Sequence, residues 1–251
     1  MNRGIISSRV FFFTDYLDLD LISYYKFDEF SGNLKDRISD NDGTLNNLVT
    51  QGEPGIISNS YSFNSAEESY IFVQSLRLSK FKEFSLSLWF KTTQSGNFSN
   101  NNTYIPRGND YAGEGCMIST GGNSTADGSK LRVNHIDGRV VVRVQGRIEF
   151  NFTEVNDGNW HHLALNLPEN STIGDVEVFL DSDKLIYNGS ASPQNSMNLD
   201  PGELYFGRNN NSDAYRYNGN IDEVFLAKNI LSQQKVNEIY NNGLGTTIQN
   251  I

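Results

Sequence analysis

The sequence predicts an all-β protein, a sandwich or barrel of short strands, on three observations. Short apolar runs recur along nearly the whole chain, one of them with sustained two-residue alternation. Turn dipeptides separate them: Asp42-Gly43, Asp137-Gly138, Asp157-Gly158 and Asn188-Gly189. Aromatic residues make up 12% of the chain, and five prolines stand against 22 glycines. That balance suits pleated, half-buried surfaces broken by turns.

Residues 1–20 differ from the rest. Arg3 and Arg9 flank a small apolar stretch, Phe11-Phe12-Phe13 follows, and Asp15, Asp18 and Asp20 precede the first good strand. Three adjacent phenylalanines cannot all face one core. This arm is expected either to dock on another chain or a sheet edge, or to form one internal strand. A single domain is expected over residues 21–251.

From Leu21 the strands follow in order. Leu21–Phe27, Tyr61–Phe63 and Tyr70–Val73 are apolar and aromatic. Phe84–Thr92 alternates: Phe84, Leu86, Leu88 and Phe90 share one face, and Ser85, Ser87, Trp89 and Lys91 the other. Such a period of two predicts a strand with one buried face. Cys116–Ser119, Leu131–His135, Arg139–Val144 and Ile148–Phe152 follow, with His135-Ile-Asp-Gly-Arg139 reading as a tight hairpin. Then come Trp160–Leu167, Asp175–Leu180, Lys184–Tyr187, Glu203–Phe206 and Ile221–Ala227. One helix is expected: Ser232 caps Gln233–Asn241, Val236, Ile239 and Tyr240 share a face, and Gly243 sits as its C-terminal cap. Ser95–Gly115, rich in Asn, Gly and Tyr, is a polar loop long enough to suggest function or mobility.

The formal net charge is −10. An acidic surface repels phosphate backbones, so nucleic acid is excluded as a partner, whereas neutral glycans and cations are compatible. Cys116 is the sole cysteine, so no intrachain disulfide is expected. No secretory leader and no membrane span are expected, since no apolar run approaches ~18 residues. Sequons such as Asn97-Phe98-Ser99 read as turns in an Asn-rich chain.

Several blocks taken in order carry a family resemblance. They are Tyr24-Tyr-Lys-Phe-Asp-Glu-Phe-Ser-Gly32, Asp36 through Asp42-Gly43-Thr44-Leu45, and Phe84-Ser-Leu-Ser-Leu-Trp-Phe-Lys91. Asp157-Gly-Asn-Trp-His-His-Leu163 is the most specific, and Val178-Phe-Leu-Asp181, Leu204-Tyr-Phe-Gly207 and Gly219-Asn-Ile-Asp-Glu-Val224 complete them. Together they resemble a laminin-G-like domain of the concanavalin A-like lectin/glucanase superfamily. The resemblance implies a two-sheet antiparallel jelly-roll β-sandwich with one short C-terminal helix, and Trp89 and Trp160 are expected in its two-sheet core. It also implies that a structural calcium could join an early loop to the Asp of the Gly-x-Ile-Asp-Glu-Val block. The expected ligands are Asp36, Asn41, Asp42 and Asp222. Asx-turns are the competing reading of the same residues.

Catalysis is not expected. Glucanases of the superfamily place clustered carboxylates on one strand face, and the nearest set here, Glu177 with Asp181 and Asp183, falls on a hairpin turn. His161 and His162 are adjacent on a strand, face opposite sides, and cannot converge on one ion. Two loops carry the aromatic and amide groups that a sugar requires. One supplies Tyr104 and Tyr111. The other supplies Asn209, Asp213, Tyr215 and Tyr217, with the last two rings on one side if the segment is extended. The sequence therefore reads as a non-catalytic carbohydrate- or surface-binding protein whose partner is a glycan or cell-surface polysaccharide. A second reading is a structural part such as a phage virion decoration or fibre protein, attached through residues 1–20 or self-associating. Its expected place is a virion or extracellular surface, the alternative being cytoplasmic. The competing function is a glycoside hydrolase or lyase.

Overall fold

The computed structural model describes residues 19–46, 48–74, 76, 83–95, 114–121, 129–136, 138–144, 147–149, 154–169, 175–186, 203–209 and 215–248. Phe11–Phe13, Tyr104, Tyr111, Asp213 and the sequon at Asn97 lie outside the described residues.

Two antiparallel sheets form a sandwich. The strands are β1 (Leu21–Tyr25), β2 (Thr44–Asn46), β3 (Thr50–Pro54), β4 (Asn59–Phe63), β5 (Tyr70–Val73), β6 (Phe84–Thr92), β7 (Glu114–Gly121) and β8 (Ser129–Ile136). β9 (Arg139–Val144), β10 (Arg147–Glu149), β11 (Trp160–Leu167), β12 (Glu177–Leu180), β13 (Asp183–Lys184), β14 (Leu204–Phe206) and β15 (Gly219–Ala227) complete them. The eight-stranded sheet runs β13-β12-β11-β6-β15-β4-β3, with β1 also paired to β15. The seven-stranded sheet runs β10-β9-β8-β7-β14-β5-β2. Neighbours that are distant in sequence, such as β14 between β7 and β5, are the mark of jelly-roll winding. No helix among the described residues is long and apolar enough to cross a membrane.

Alternating side chains fill the space between the sheets. Leu86, Leu88 and Phe90 of β6 meet Leu163 and Leu165 of β11, Ile118 of β7, Val133 of β8 and Phe206 of β14 in one core. The other face of β6 was expected to be solvated, but it is buried as well. Helix α1 (Gln233–Tyr240) and the chain after it cover this side, building a second cluster from Tyr24, Ala164, Phe179, Phe225, Leu231, Val236, Ile239 and Ile248. Ser85, Ser87 and Trp89 lie beneath it. Trp89 therefore sits outside the two-sheet core, stacked on Tyr240 at 5.8 Å and 12°. Trp160 is only half-buried, with the Lys91 ammonium 5.1 Å from its ring centre. Neither tryptophan lies in the expected two-sheet core; Trp89 keeps the face that its alternation gave it, where the helix supplies a second apolar layer.

Ser232 caps α1 through its side chain, as expected. The left-handed cap at the other end is Asn241 (φ 47, ψ 50), so the helix stops one residue short of the predicted end. Asn tolerates this conformation and takes the role assigned to Gly243. The His135–Arg139 hairpin forms: Ile136 pairs with Arg139, and Gly138 adopts φ 79. A bulge between Asp222 and Phe225 lets β15 exchange partners from β4 to β1. β2 and β3 carry no apolar alternation and were not predicted.

Candidate functional site

The four side chains expected around one calcium do not share a site. Asp36 accepts from the backbone N–H groups of Tyr24 and Ile38 and from the Ser39 hydroxyl. Asp42 accepts from the backbone of Asp36 and from Lys35, which with that backbone contact holds its carboxyl below the usual range. The Asn41 side-chain amide donates to Ser39, and the Asn41 backbone carbonyl accepts from the Tyr25 hydroxyl. The Asp36 contact with the Ile38 N–H, two residues on, is the Asx-turn of the competing reading. Asp222 lies elsewhere, on β15, where its oxygens accept from Ile56 (2.8 Å), Ile57 (3.3 Å) and Glu223 (2.8 Å) backbone N–H groups. Among the described residues no three His, Cys, Asp or Glu side chains gather to hold an ion. The expected set does not fit one coordination shell.

The acidic residues around the β12–β13 hairpin are also engaged. Glu177 bonds Asn166 and Lys184. Asp181 (φ 50) and Ser182 (φ 73) make the turn. Asp181 accepts from the backbone of His162 at 2.8 Å and meets the His161 ring at 2.7 Å. Asp157 meets the other His161 ring nitrogen at 3.1 Å. Burial works against protonation of His161, but the two carboxylates outweigh it and raise its pKa. His162, on the opposite face, is buried against Trp89 and bonded to Ser87, and burial lowers its pKa to about 4.

The outer face of the seven-stranded sheet has a different character. One row of directly opposed residues crosses it: Thr44, Phe72, Tyr205, Ser119 and Arg132. Their neighbours along each strand, such as Ile71, Phe206, Ile118 and Val133, point into the core. Alternation therefore sends this row outward. Tyr205 packs against Phe72 at 5.0 Å and Tyr70 at 6.1 Å, forming a platform of three half-buried rings. The Arg208 guanidinium lies over this platform, 4.1 Å from Tyr70 and 5.3 Å from Tyr205. Its backbone carbonyl accepts from the Ser119 hydroxyl at 2.9 Å, which fixes it beside the row.

Arg132 of this row, from which the register continues to Arg143 on β9, is 2% exposed, with the Tyr215 ring 4.9 Å from its guanidinium. Its Nε and Nη1 are buried and unbonded, as is Nε of Arg208. Among the described residues neither arginine meets a carboxylate; the nearby ion pair is Arg216 with Glu68 at 2.7 Å. Tyr215 is held there by backbone strain. It adopts φ 64, and its carbonyl accepts from Cys116 on β7 at 2.9 Å. Left-handed backbone costs a tyrosine about 1–2 kcal/mol.

Of the predicted glycan residues, Asn209 is buried, while Tyr215 reaches this face through its ring on Arg132. Tyr217 does not. It is fully buried beside Phe63 and His135, and its hydroxyl meets the carbonyls of Lys91 and Asn220 at 3.0 and 3.1 Å. The left-handed Tyr215 breaks the extended alternation that would have put both rings on one side. Arg132, Arg208, Tyr70, Phe72 and Tyr205 were not anticipated. The available signal was the alternation in Tyr70–Val73 and Leu204–Phe206, whose non-core positions are aromatic.

A family profile described as the Concanavalin A-like lectin/glucanases superfamily, laminin-G type, matches residues 65–237. Comparison with curated protein sequences returns no match. Among solved structures, a Trypanosoma rangeli sialidase in complex with the inhibitor DANA superposes at TM-score 0.63 and 12% identity, over 90% of this chain and 34% of the sialidase. The binding domain of Paraclostridial Mosquitocidal Protein 1 follows at 0.61 and 18%, over 89% of this chain and 52% of that one. The binding domain of Botulinum neurotoxin DC in complex with rat synaptotagmin II gives 0.62 and 11%, over 90% and 52%. The chain thus spans about a third of the sialidase and half of each toxin binding domain. At such identities the likeness shows the fold alone. With the profile covering more than half the sequence and the two-sheet jelly roll agreeing with it, this chain belongs to the laminin-G-like family of the Concanavalin A-like lectin/glucanases superfamily.

Proposed function

We propose that this protein is a non-catalytic carbohydrate- or surface-binding module whose ligand lies on the outer face of the seven-stranded sheet. The observation that carries the reading is the ring platform of Tyr70, Phe72 and Tyr205 beside two guanidiniums that meet no carboxylate among the described residues. Sugar rings stack their C–H faces on aromatic surfaces, and their hydroxyls take N–H donors placed alongside. The toxin binding domains of the same fold are consistent with a binding role. The carboxylates nearest to a glycosidase pattern, Glu177 and Asp181, are spent on protein contacts.

The test is a glycan array with the full chain and with Tyr205→Ala. Binding that falls on the substitution, with the fold retained, supports the proposal. Binding indifferent to Tyr205, or release of sugar from a polysaccharide, overturns it. The finer reading is an adhesion or structural component at a virion or extracellular surface, such as a phage decoration or fibre protein. The aromatic run Phe11–Phe13 supports it as an attachment segment. Co-sedimentation with the parent particle should be lost on removing residues 1–20.

A further inference from the structure

We propose that the ligand of this face is an acidic saccharide, one carboxylate per sugar, recognised by the guanidiniums of Arg132 and Arg208. This deepens the glycan-binding reading and rests on it.

The argument starts from the cost of Arg132. A buried donor without an acceptor costs about 1–3 kcal/mol, more when it is charged. Arg132 leaves two nitrogens in that state, and Arg208 leaves a third. A protein of net charge −10 has carboxylates in excess, with 30 Asp and Glu against 20 Lys and Arg. The nearest acid-base pair satisfies Arg216 through Glu68, yet neither Arg132 nor Arg208 meets a carboxylate among the described residues. Among the described residues, two cations without a carboxylate on one sheet face form a local positive site in an acidic protein.

The surroundings favour an oxyanion over a neutral hydroxyl. Each guanidinium lies close to aromatic rings, Arg208 to Tyr70 and Tyr205, and Arg132 to Tyr215. The rings hold the cations by cation–π attraction but accept none of their in-plane N–H groups. A carboxylate supplies acceptors and charge together, and guanidinium matches its planar geometry. The same platform of Tyr70, Phe72 and Tyr205 offers a stacking surface for the sugar that carries it. Tyr215 combines a left-handed backbone, φ 64, with its ring on Arg132. A polysulfated chain is disfavoured, because an acidic protein repels dense negative charge beyond the two arginines.

The experiment is calorimetric titration of the full chain with tri-galacturonate, its methyl-esterified form, 3′-sialyllactose, lactose and a heparin tetrasaccharide. At least one carboxylated probe is expected to bind at least about tenfold more tightly than its neutral counterpart, the usual scale of one charge-assisted hydrogen bond. Arg132→Gln and Arg208→Gln are each expected to lose about 10- to 100-fold in affinity for that probe, a larger loss than for its neutral counterpart. Thermal melts check folding. If Arg132→Gln does not fold, the half-buried Arg208 carries the test. Equal binding of acidic and neutral sugars, or arginine variants that bind like wild type, overturns this inference and leaves the glycan-binding reading standing. Tighter binding of heparin than of every carboxylated probe overturns the assignment of a carboxylate. Failure of every sugar, here and on the array, overturns both.

Discussion

Replacing Asp222 with Ala should destabilise the fold by about 2–4 kcal/mol, and the reasons are local. The side chain is fully buried at the bulge of β15. One oxygen accepts from Ile56 and Ile57, the other from Glu223, and together they hold the 55–58 turn against the sheet. Alanine leaves three backbone donors without an acceptor, at about 1–3 kcal/mol for each that water does not reach. An opposing term reduces the loss. Burial, with Glu223 beside it, pushes the Asp222 pKa up to about 9, so at pH 7 folding must protonate a carboxyl that is ionised in the unfolded chain, a cost that alanine removes. Most of the three bonds should survive as net loss. The assay is urea denaturation at pH 7, read as a change in midpoint at constant slope, repeated with and without a calcium chelator. The loss should be the same in both buffers, since the oxygens serve backbone N–H groups. A change below about 1 kcal/mol, against the range expected for unmade buried bonds, would refute the reasoning. So would a loss that disappears when calcium is chelated.

Tyr217→Phe removes one buried hydroxyl contact and should cost about 1 kcal/mol in the same assay, with glycan binding unchanged because the ring faces the core. His161 makes a contribution that falls with rising pH. Its folded pKa is raised, so its pairing with Asp181 and Asp157 is fully stabilising below the unfolded value of 6.5 and is lost as pH passes the folded one. Melts of wild type and His161→Gln from pH 5 to 9 should differ most at the acid end. His135 behaves oppositely. Burial lowers its pKa to about 4, so it is neutral in the fold, and stability drains as pH falls from 6.5 towards 4 while the unfolded chain takes up the proton. His135→Gln should flatten that acid limb.

The strands legible in the sequence were those with alternating or continuous apolar residues. Phe84–Thr92, Trp160–Leu167 and the Ile221–Ala227 run appear where the pattern put them, the last beginning two residues earlier. β2 and β3 were missed because Thr44-Leu-Asn46 and Thr50-Gln-Gly-Glu-Pro54 are polar edge strands, held by pairing and not by burial. The tryptophans were expected in the two-sheet core, although periodicity already set Trp89 on the opposite face, because a pattern tells which residues share a face but not what covers it. The same limit governed the site. Tyr215 was picked out as an aromatic loop residue, but its ring meets Arg132, more than 80 positions earlier in sequence, only through the pairing of β7 with β8 and with residue 215.

Local chemistry by itself determined the all-β class, the turns at Asp-Gly pairs, the capped helix and the order of blocks that marks the family. Each depends on neighbours within a few residues, where backbone preference and side-chain period act directly. Only the tertiary structure decided which carboxylates meet backbone donors, which tyrosine is core, and which arginines lie on aromatic rings. Those are contacts across sheet registers, and a register is set by the burial of the whole sandwich.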